Sequence, residues 1–259
     1  MAVVSSITRM GTIEPFDLQV GRNQIAMHRN LFKFGINAAV STSATTIWPA
    51  GTEYVFPAAA TVMKVSSTSA SDTGNGTGAQ TILVEGLDAN YAEISEVVTL
   101  NGTTAVNTTN SYLRINNIEL ASAGSGATAA GTIYIGTGTV TGGVPATEYG
   151  RIVLGYNAST QAIYTVPAGY TAYVTSYTFT SGSATANNIC SGFFQHSENG
   201  FSEIQASARM NGGNAFDRHF DVPFAVPEMK DIALRASSTA ASNMTGEMHI
   251  LLIKNDSQP

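Results

Sequence analysis

Charge is scarce in this chain. Lys, Arg, Asp and Glu make up 12% of its 259 residues, about half the roughly 25% of an ordinary soluble domain. A surface this poor in charge is either covered by other protein or kept soluble by small hydroxyl residues. No basic run occurs and the formal net charge is −6. Nucleic acid and anionic membranes both need clustered Lys and Arg, so neither is an expected partner. A single cysteine, Cys190, excludes an intrachain disulfide framework and a Cys-based zinc site, and reads as a small buried residue. Apolar runs of about eighteen residues are missing, so no spanning helix is expected. The opening "MAVVSSITRMGTIEPF" lacks the charged start and continuous apolar block of a signal peptide, which points to synthesis in the cytoplasm.

What the chain does contain is a repeat. "YVFPAAAT" at Tyr54 to Thr61 returns as "YTVPAGYT" at Tyr164 to Thr171, 110 positions on. At the same offset "YAEI" from Tyr91 falls on "FSEI" from Phe201, and Asn101-Gly102 on Asn211-Gly212. Farther along the offset widens by a few residues. There "IELASAG" from Ile118 aligns with "IALRASS" from Ile232, and "GTIYI" from Gly131 with "GEMHI" from Gly246. An internal duplication is the expectation.

Each copy reads as β-structure, because β-branched and aromatic residues alternate in short runs separated by Gly, Pro and Asn. From Ala92 to Leu100, Ile94, Val98 and Leu100 share one face; in the second copy Ile204, Ala206, Ala208 and Met210 do the same. Both runs end at Asn-Gly, which predicts a tight hairpin turn. No convincing amphipathic helix is present. The expected fold is all-β: two tandem duplicated, jelly-roll-like β-sandwiches over residues 38–140 and 151–259, joined by a Gly/Pro linker at 141–150. An extended arm over residues 1–37 precedes them. In it Phe16, Leu18 and Val20 alternate like a strand, and Phe32 and Phe34 share a face farther on. These five residues are the candidate assembly contacts, on this chain's own sandwich or on a neighbouring subunit. Removing everything before about Asn37 is expected to leave the sandwiches folded.

Chemistry is harder to find. Of the four histidines, His28, His196, His219 and His249, none has a catalytic or metal-ligand spacing. "FDRHFD" from Phe216 sets Asp217, His219 and Asp221 on one strand face, where they could hold a divalent cation, but a solvated face over inward Phe216 and Phe220 explains it as well. "HSEN" from His196 reads as a polar turn. "SGS" from Ser181 and "GTGTVTGG" from Gly136 lack the Lys and helix of a phosphate loop. Tyr54, Tyr91, Tyr112, Tyr134, Tyr164, Tyr170, Tyr173 and Tyr177 could stack on sugars, or simply fill half-buried strands. No catalytic residue, metal ligand or cofactor is assigned, and the chain is read as non-enzymatic.

A family likeness enters with "FKFGIN", "GLDANYAEISEVVTLNGTTAV", "TTNSYLRINN", "AGTIYIGTGTVTGGVPA" and "YTVPAGYTAY". Between about Phe16 and Tyr173 the chain resembles virion structural proteins of tailed bacteriophages, notably phages of marine bacteria and cyanobacteria. The resemblance implies membership of a phage particle and carries over no catalytic residue. The expectation is therefore an oligomeric capsid decoration (cement) protein on the virion exterior, with a homotrimer favoured and a major capsid or tail component as neighbour. The alternative is a tail-associated, fibre-like module that recognises host glycans.

Overall fold

The computed structural model describes residues 8–9, 12–182, 188–198 and 201–255. The chain begins with β1 (Thr8–Arg9), β2 (Thr12–Ile13), one helix α1 (Phe16–Gly21), β3 (His28–Val40) and β4 (Thr45–Thr46). Seven strands follow: β5 (Thr61–Ser67), β6 (Ala79–Leu87), β7 (Glu93–Thr99), β8 (Val106–Tyr112), β9 (Arg114–Ala123), β10 (Ile133–Thr141) and β11 (Val144–Ile152). The remainder comprises β12 (Ile163–Thr165), β13 (Tyr170–Ser181), β14 (Ile189–Glu198), β15 (Phe201–Asn211), β16 (Ala215–Val226), β17 (Asp231–Ser238) and β18 (Ser242–Lys254). The protein is all-β. Four antiparallel sheets are disposed like the blades of a four-bladed propeller rather than as two cleanly separate sandwiches.

Alternation explains why these segments are strands. In β18, Met244, Gly246, Met248, Ile250 and Leu252 turn inward while Asn243, Glu247 and other residues between them face outward. That period of two suits a half-buried antiparallel strand.

The sheet orders repeat. The first half forms β11-β10-β5-β8 and β7-β6-β9; the second forms β3-β18-β13-β16 and β12-β17-β14-β15, with β4 beside β17. The pairs Thr81↔Thr99, Ile82↔Val98 and Leu83↔Val97 recur 110 positions on as Ser191↔Arg209, Gly192↔Ala208 and Phe193↔Ser207. Ser66↔Tyr134 recurs as Ser176↔His249, so the "GTIYI"/"GEMHI" alignment is in register. The "IELASAG"/"IALRASS" alignment is not. Val84 pairs with Ile118, but its counterpart Phe194 pairs with Leu234, two residues beyond Ile232. A two-residue slip preserves strand alternation, which is why the text of the sequence hides it.

Each half has one main buried cluster. Met63, Ile82, Val98, Ile118 and Ile133 belong to the first; Val174, Tyr177, Phe194, Leu234 and Met248 to the second. Asp72 and Asn188 play parallel roles beside them. The fully buried Asp72 carboxylate accepts the backbone N–H groups of Ala79, Ala130 and Gly131 and the Ser67 hydroxyl. The Asn188 carbonyl accepts from the hydroxyls of Ser238 and Thr239 and from the Ala240 N–H. In both halves a buried polar side chain pins two loops, satisfying groups that would otherwise be costly to bury.

Several expectations change. Residues 28–40 are not a free arm. They form β3, paired with β18 from His28↔Ile253 to Val40↔Ser242, in the place that β11 holds in the first half. The expected boundary at residue 37 falls inside this strand, and Val40 and Ile47 belong to the second half's core. Phe16, Leu18 and Val20 lie on α1, not on a strand. Pro15 precedes the helix, its carbonyl accepts the Gln19 N–H, and Asp17 sits in the first turn, where a carboxylate meets the positive end of the helix dipole. Val20 is buried, while Phe16 and Leu18 are 40% and 50% exposed.

The segment 141–150, expected as a linker, is a hairpin between β10 and β11. Its turn is Gly142-Gly143 at φ 59° and 84°, the two positive angles a two-residue hairpin needs. The Asn-Gly pairs instead form corners: β7 and β15 each lead into a strand of another sheet. The Gly102 and Gly212 N–H groups donate to the Asp72 and Asn188 carbonyls, so each turn is tied to a neighbouring loop rather than to a hairpin partner.

The halves are joined by a polar and an aromatic contact. On β9, Arg114 donates Nε (2.8 Å) and Nη2 (3.1 Å) to the two carboxylate oxygens of Asp231 on β17, and Nη1 to the Pro57 and Leu113 carbonyls. Its guanidinium lies 4.8 Å from the centre of the Phe56 ring and 5.6 Å from that of Tyr91. Beside it Trp48, Tyr54, Ile163 and Ala233 form a small buried cluster.

Candidate functional site

Between β3 and the β7-β6-β9 sheet lies a cleft of about 620 Å³. β3 contributes Arg29, Phe32, Lys33 and Phe34; the facing wall contributes Glu85, Glu93, Asn117 and Glu119; residues 156–160 close one end. The site exists because β3 folds back. Residues 157–160 bridge the walls: Ser159 N–H donates to the Ile118 carbonyl, Leu120 N–H to the Asn157 carbonyl and Ile36 N–H to the Thr160 carbonyl.

The polar groups form linked sets. Asn117 Nδ2 donates to Glu85 (3.0 Å) and Glu119 (3.4 Å), while its Oδ1 accepts from the Ser159 hydroxyl (2.9 Å). Arg29 Nη2 pairs with Glu93 at 2.7 Å, and Lys33 Nζ donates to the Asn116 carbonyl at 2.5 Å. Two buried polar atoms of the lining, Arg29 Nε and Thr160 Oγ1, have no hydrogen-bond partner among the described residues. Two aromatic residues are half-exposed at the cleft, Phe32 at 53% and Tyr156 at 50%. Phe32 also stands edge-on to His249, with ring centres 4.9 Å apart.

Burial lowers the Lys33 ammonium from the ordinary lysine range to about 8, with Glu85 opposing the shift in part. Between about pH 8 and the usual lysine value near 10.4, the unfolded chain holds a proton that the folded chain has lost. Stability contributed by this residue therefore rises with pH across that window. Burial raises Tyr54 and Tyr164 above the ordinary phenol range; the unfolded chain sheds those protons first, so above about pH 10 they reverse the trend. Lys33→Met should flatten the rise between pH 8 and 10 and leave stability at pH 7 unchanged or higher, since an apolar side chain of similar size avoids the buried charge. Urea midpoints at pH 7, 8.5 and 10 check this; a midpoint at pH 7 lowered by the substitution counts against it.

The residues singled out in the sequence lie elsewhere or act structurally. Asp217, His219 and Asp221 are exposed on β16, as a solvated face requires. His219 Nε2 is 3.2 Å from Asp217, whose other oxygen accepts the Thr178 hydroxyl. Among the described residues no group of three or more His, Cys, Asp or Glu is disposed to hold a metal. His196 is buried within β14 and packs on Phe224, so the "HSEN" segment is not a turn at its start; Asn199 lies outside the described residues, as does Ser183 of "SGS". Cys190 is fully buried beside the hydroxyls of Ser181 and Ser238.

Tyr54, Tyr112, Tyr134, Tyr164 and Tyr177 are buried, and the Tyr54 hydroxyl donates to the Tyr149 carbonyl. These tyrosines fill cores. Of the five candidate contacts Val20 is buried, Phe34 is half-buried, and Phe16, Leu18 and Phe32 are exposed. Only Phe32 and Phe34 reach the cleft. Sequence reasoning passed over Asn117, Tyr156 and Thr160, because loop and strand residues separated by about forty positions carry no local signal of meeting. No protein-family model matches the chain, and no curated protein matches it.

Proposed function

We propose that this chain is a non-enzymatic structural protein of a tailed-bacteriophage particle, displayed on the exterior as a homo-oligomer that decorates the capsid, with a trimer favoured. Its neighbour in the particle is a major capsid or tail component. Within this reading the two halves are duplicated sandwich-like units, each a pair of sheets around one core, and β3 completes the second. Matching strand orders and registers support the duplication; the resemblance of residues 16–173 supports the virion assignment.

One observation carries the assembly role: the two copies treat the same strand edges differently. In the first half, Glu96 on β7 accepts the N–H groups of Thr109 and Asn110 and the Tyr112 hydroxyl, sealing β7 against β8. At the matching position 110 residues later stands Ala206, which cannot do this. There β15 and β16 project with Ile204 56% and Val222 81% exposed. Long edge strands that expose apolar residues are templates for further pairing, and Glu203, Arg209, Asp217, Arg218 and Asp221 set charges among those apolar positions.

Mass measurement of the purified chain and its location in a map of purified particles test the reading. An oligomer in solution and density on the particle surface support it. A strict monomer absent from the particles overturns it. A second reading, a tail-associated host-recognition module, is favoured by the cleft beside β3.

A further inference from the structure

The cleft lies outside the exposed β15 and β16 edges, and its groups suit a small polar ligand better than another strand. We propose that it is a binding site for a neutral oligosaccharide, with Phe32 and Tyr156 stacking on sugar faces and Thr160, Asn117, Glu85 and Glu119 bonding to hydroxyls. This inference rests on the second reading above.

Four observations carry it. The volume of about 620 Å³ lies within the roughly 300–1,000 Å³ of ordinary ligand sites. Thr160 is 4% exposed and lines the cleft, yet its hydroxyl has no partner among the described residues; native proteins rarely bury such a group without a use for it. Glu85 and Glu119 share one amide hydrogen-bond source, Asn117, leaving carboxylate lone pairs for vicinal hydroxyls. Two half-exposed aromatic rings add faces for the apolar side of a sugar ring.

Charge selects the ligand class. Arg29 is committed to Glu93, and Lys33 is buried with its ammonium on the Asn116 carbonyl and Glu85 nearby. These two cations are outnumbered in the lining by Glu85, Glu93 and Glu119. The carboxylates in turn disfavour an acidic sugar by like-charge repulsion.

The test uses the full chain on a printed array of neutral and acidic bacterial-surface oligosaccharides, followed by calorimetric titration with the soluble glycans retained. Retention of neutral glycans, with binding weakened about tenfold by Tyr156→Ala and by Thr160→Val, supports the proposal. Thr160→Val should also leave the melting temperature unchanged or raise it, because it removes an unpartnered buried hydroxyl; lost affinity without lost stability separates a binding role from a packing one. Retention of nothing by the folded chain overturns the proposal. So does equal affinity in both variants, or a preference for acidic glycans that salt abolishes. Incorporation into particles is scored separately: its loss overturns the structural reading whatever the array reports, and its persistence beside a silent array overturns the cleft alone.

Discussion

Deletion of residues 1–40 should cost on the order of 5 kcal/mol, the loss of two or three large apolar burials, and should turn the purified protein into an aggregating species. β3 forms one whole flank of β18, in the place β11 fills in the first half. It carries Val40 and Asn37 at no exposure, and the Asn37 amide donates to the Thr46 carbonyl and the Thr45 hydroxyl. Without it, β18 becomes an open edge lined by Met248, Ile250 and Leu252, the arrangement that natural sheets avoid. A loss of this size approaches the total stability of many domains. Urea unfolding and size-exclusion chromatography read the outcome. A truncated chain with an unchanged midpoint and elution volume would restore the original picture of a dispensable arm.

The second large effect is expected at the joint. Arg114→Ala should destabilise the protein by about 3–5 kcal/mol, the range for breaking a buried ion pair by removing one member. Among the described residues the change leaves the Asp231 carboxylate with the Thr165 hydroxyl on Oδ1 alone, and strips the Pro57 and Leu113 carbonyls of their guanidinium donor. It also removes the cation between the Phe56 and Tyr91 rings. Trp48, the only tryptophan, is buried beside this joint and reports on it by fluorescence. Its emission should shift red at a lower urea concentration than in the wild type. Replacing both partners, as in Arg114→Met with Asp231→Leu, should recover part of the loss, because no buried charge is then stranded. A single-substitution cost below about 1 kcal/mol, the value of an exposed pair, would show that the halves do not depend on this contact.

The strand content was legible because alternation is local. The alternating run from Ala92 to Leu100 is β7, with Val98 and Leu100 buried. Turns were read less well. Gly-Gly at 142–143 passed for a linker and makes a hairpin, while Asn-Gly passed for a hairpin and makes a corner. A turn's residues state which φ angles are available; the hydrogen bonds to Asp72 and Asn188 determine which strands it connects. Ile204 illustrates the same limit. It shares a strand face with the buried Ala208 and Met210, yet is itself 56% exposed.

Composition and period therefore sufficed for an all-β, charge-poor chain with a repeat of 110 residues, because backbone pairing and side-chain alternation are properties of near neighbours along the strand. The partner of β3, the Arg114–Asp231 joint and the cleft with Tyr156 and Thr160 depended on the folded chain. Each unites segments far apart in sequence, and which distant edge satisfies a strand's free N–H and C=O groups is set by packing in three dimensions, not by the order of residues within the strand.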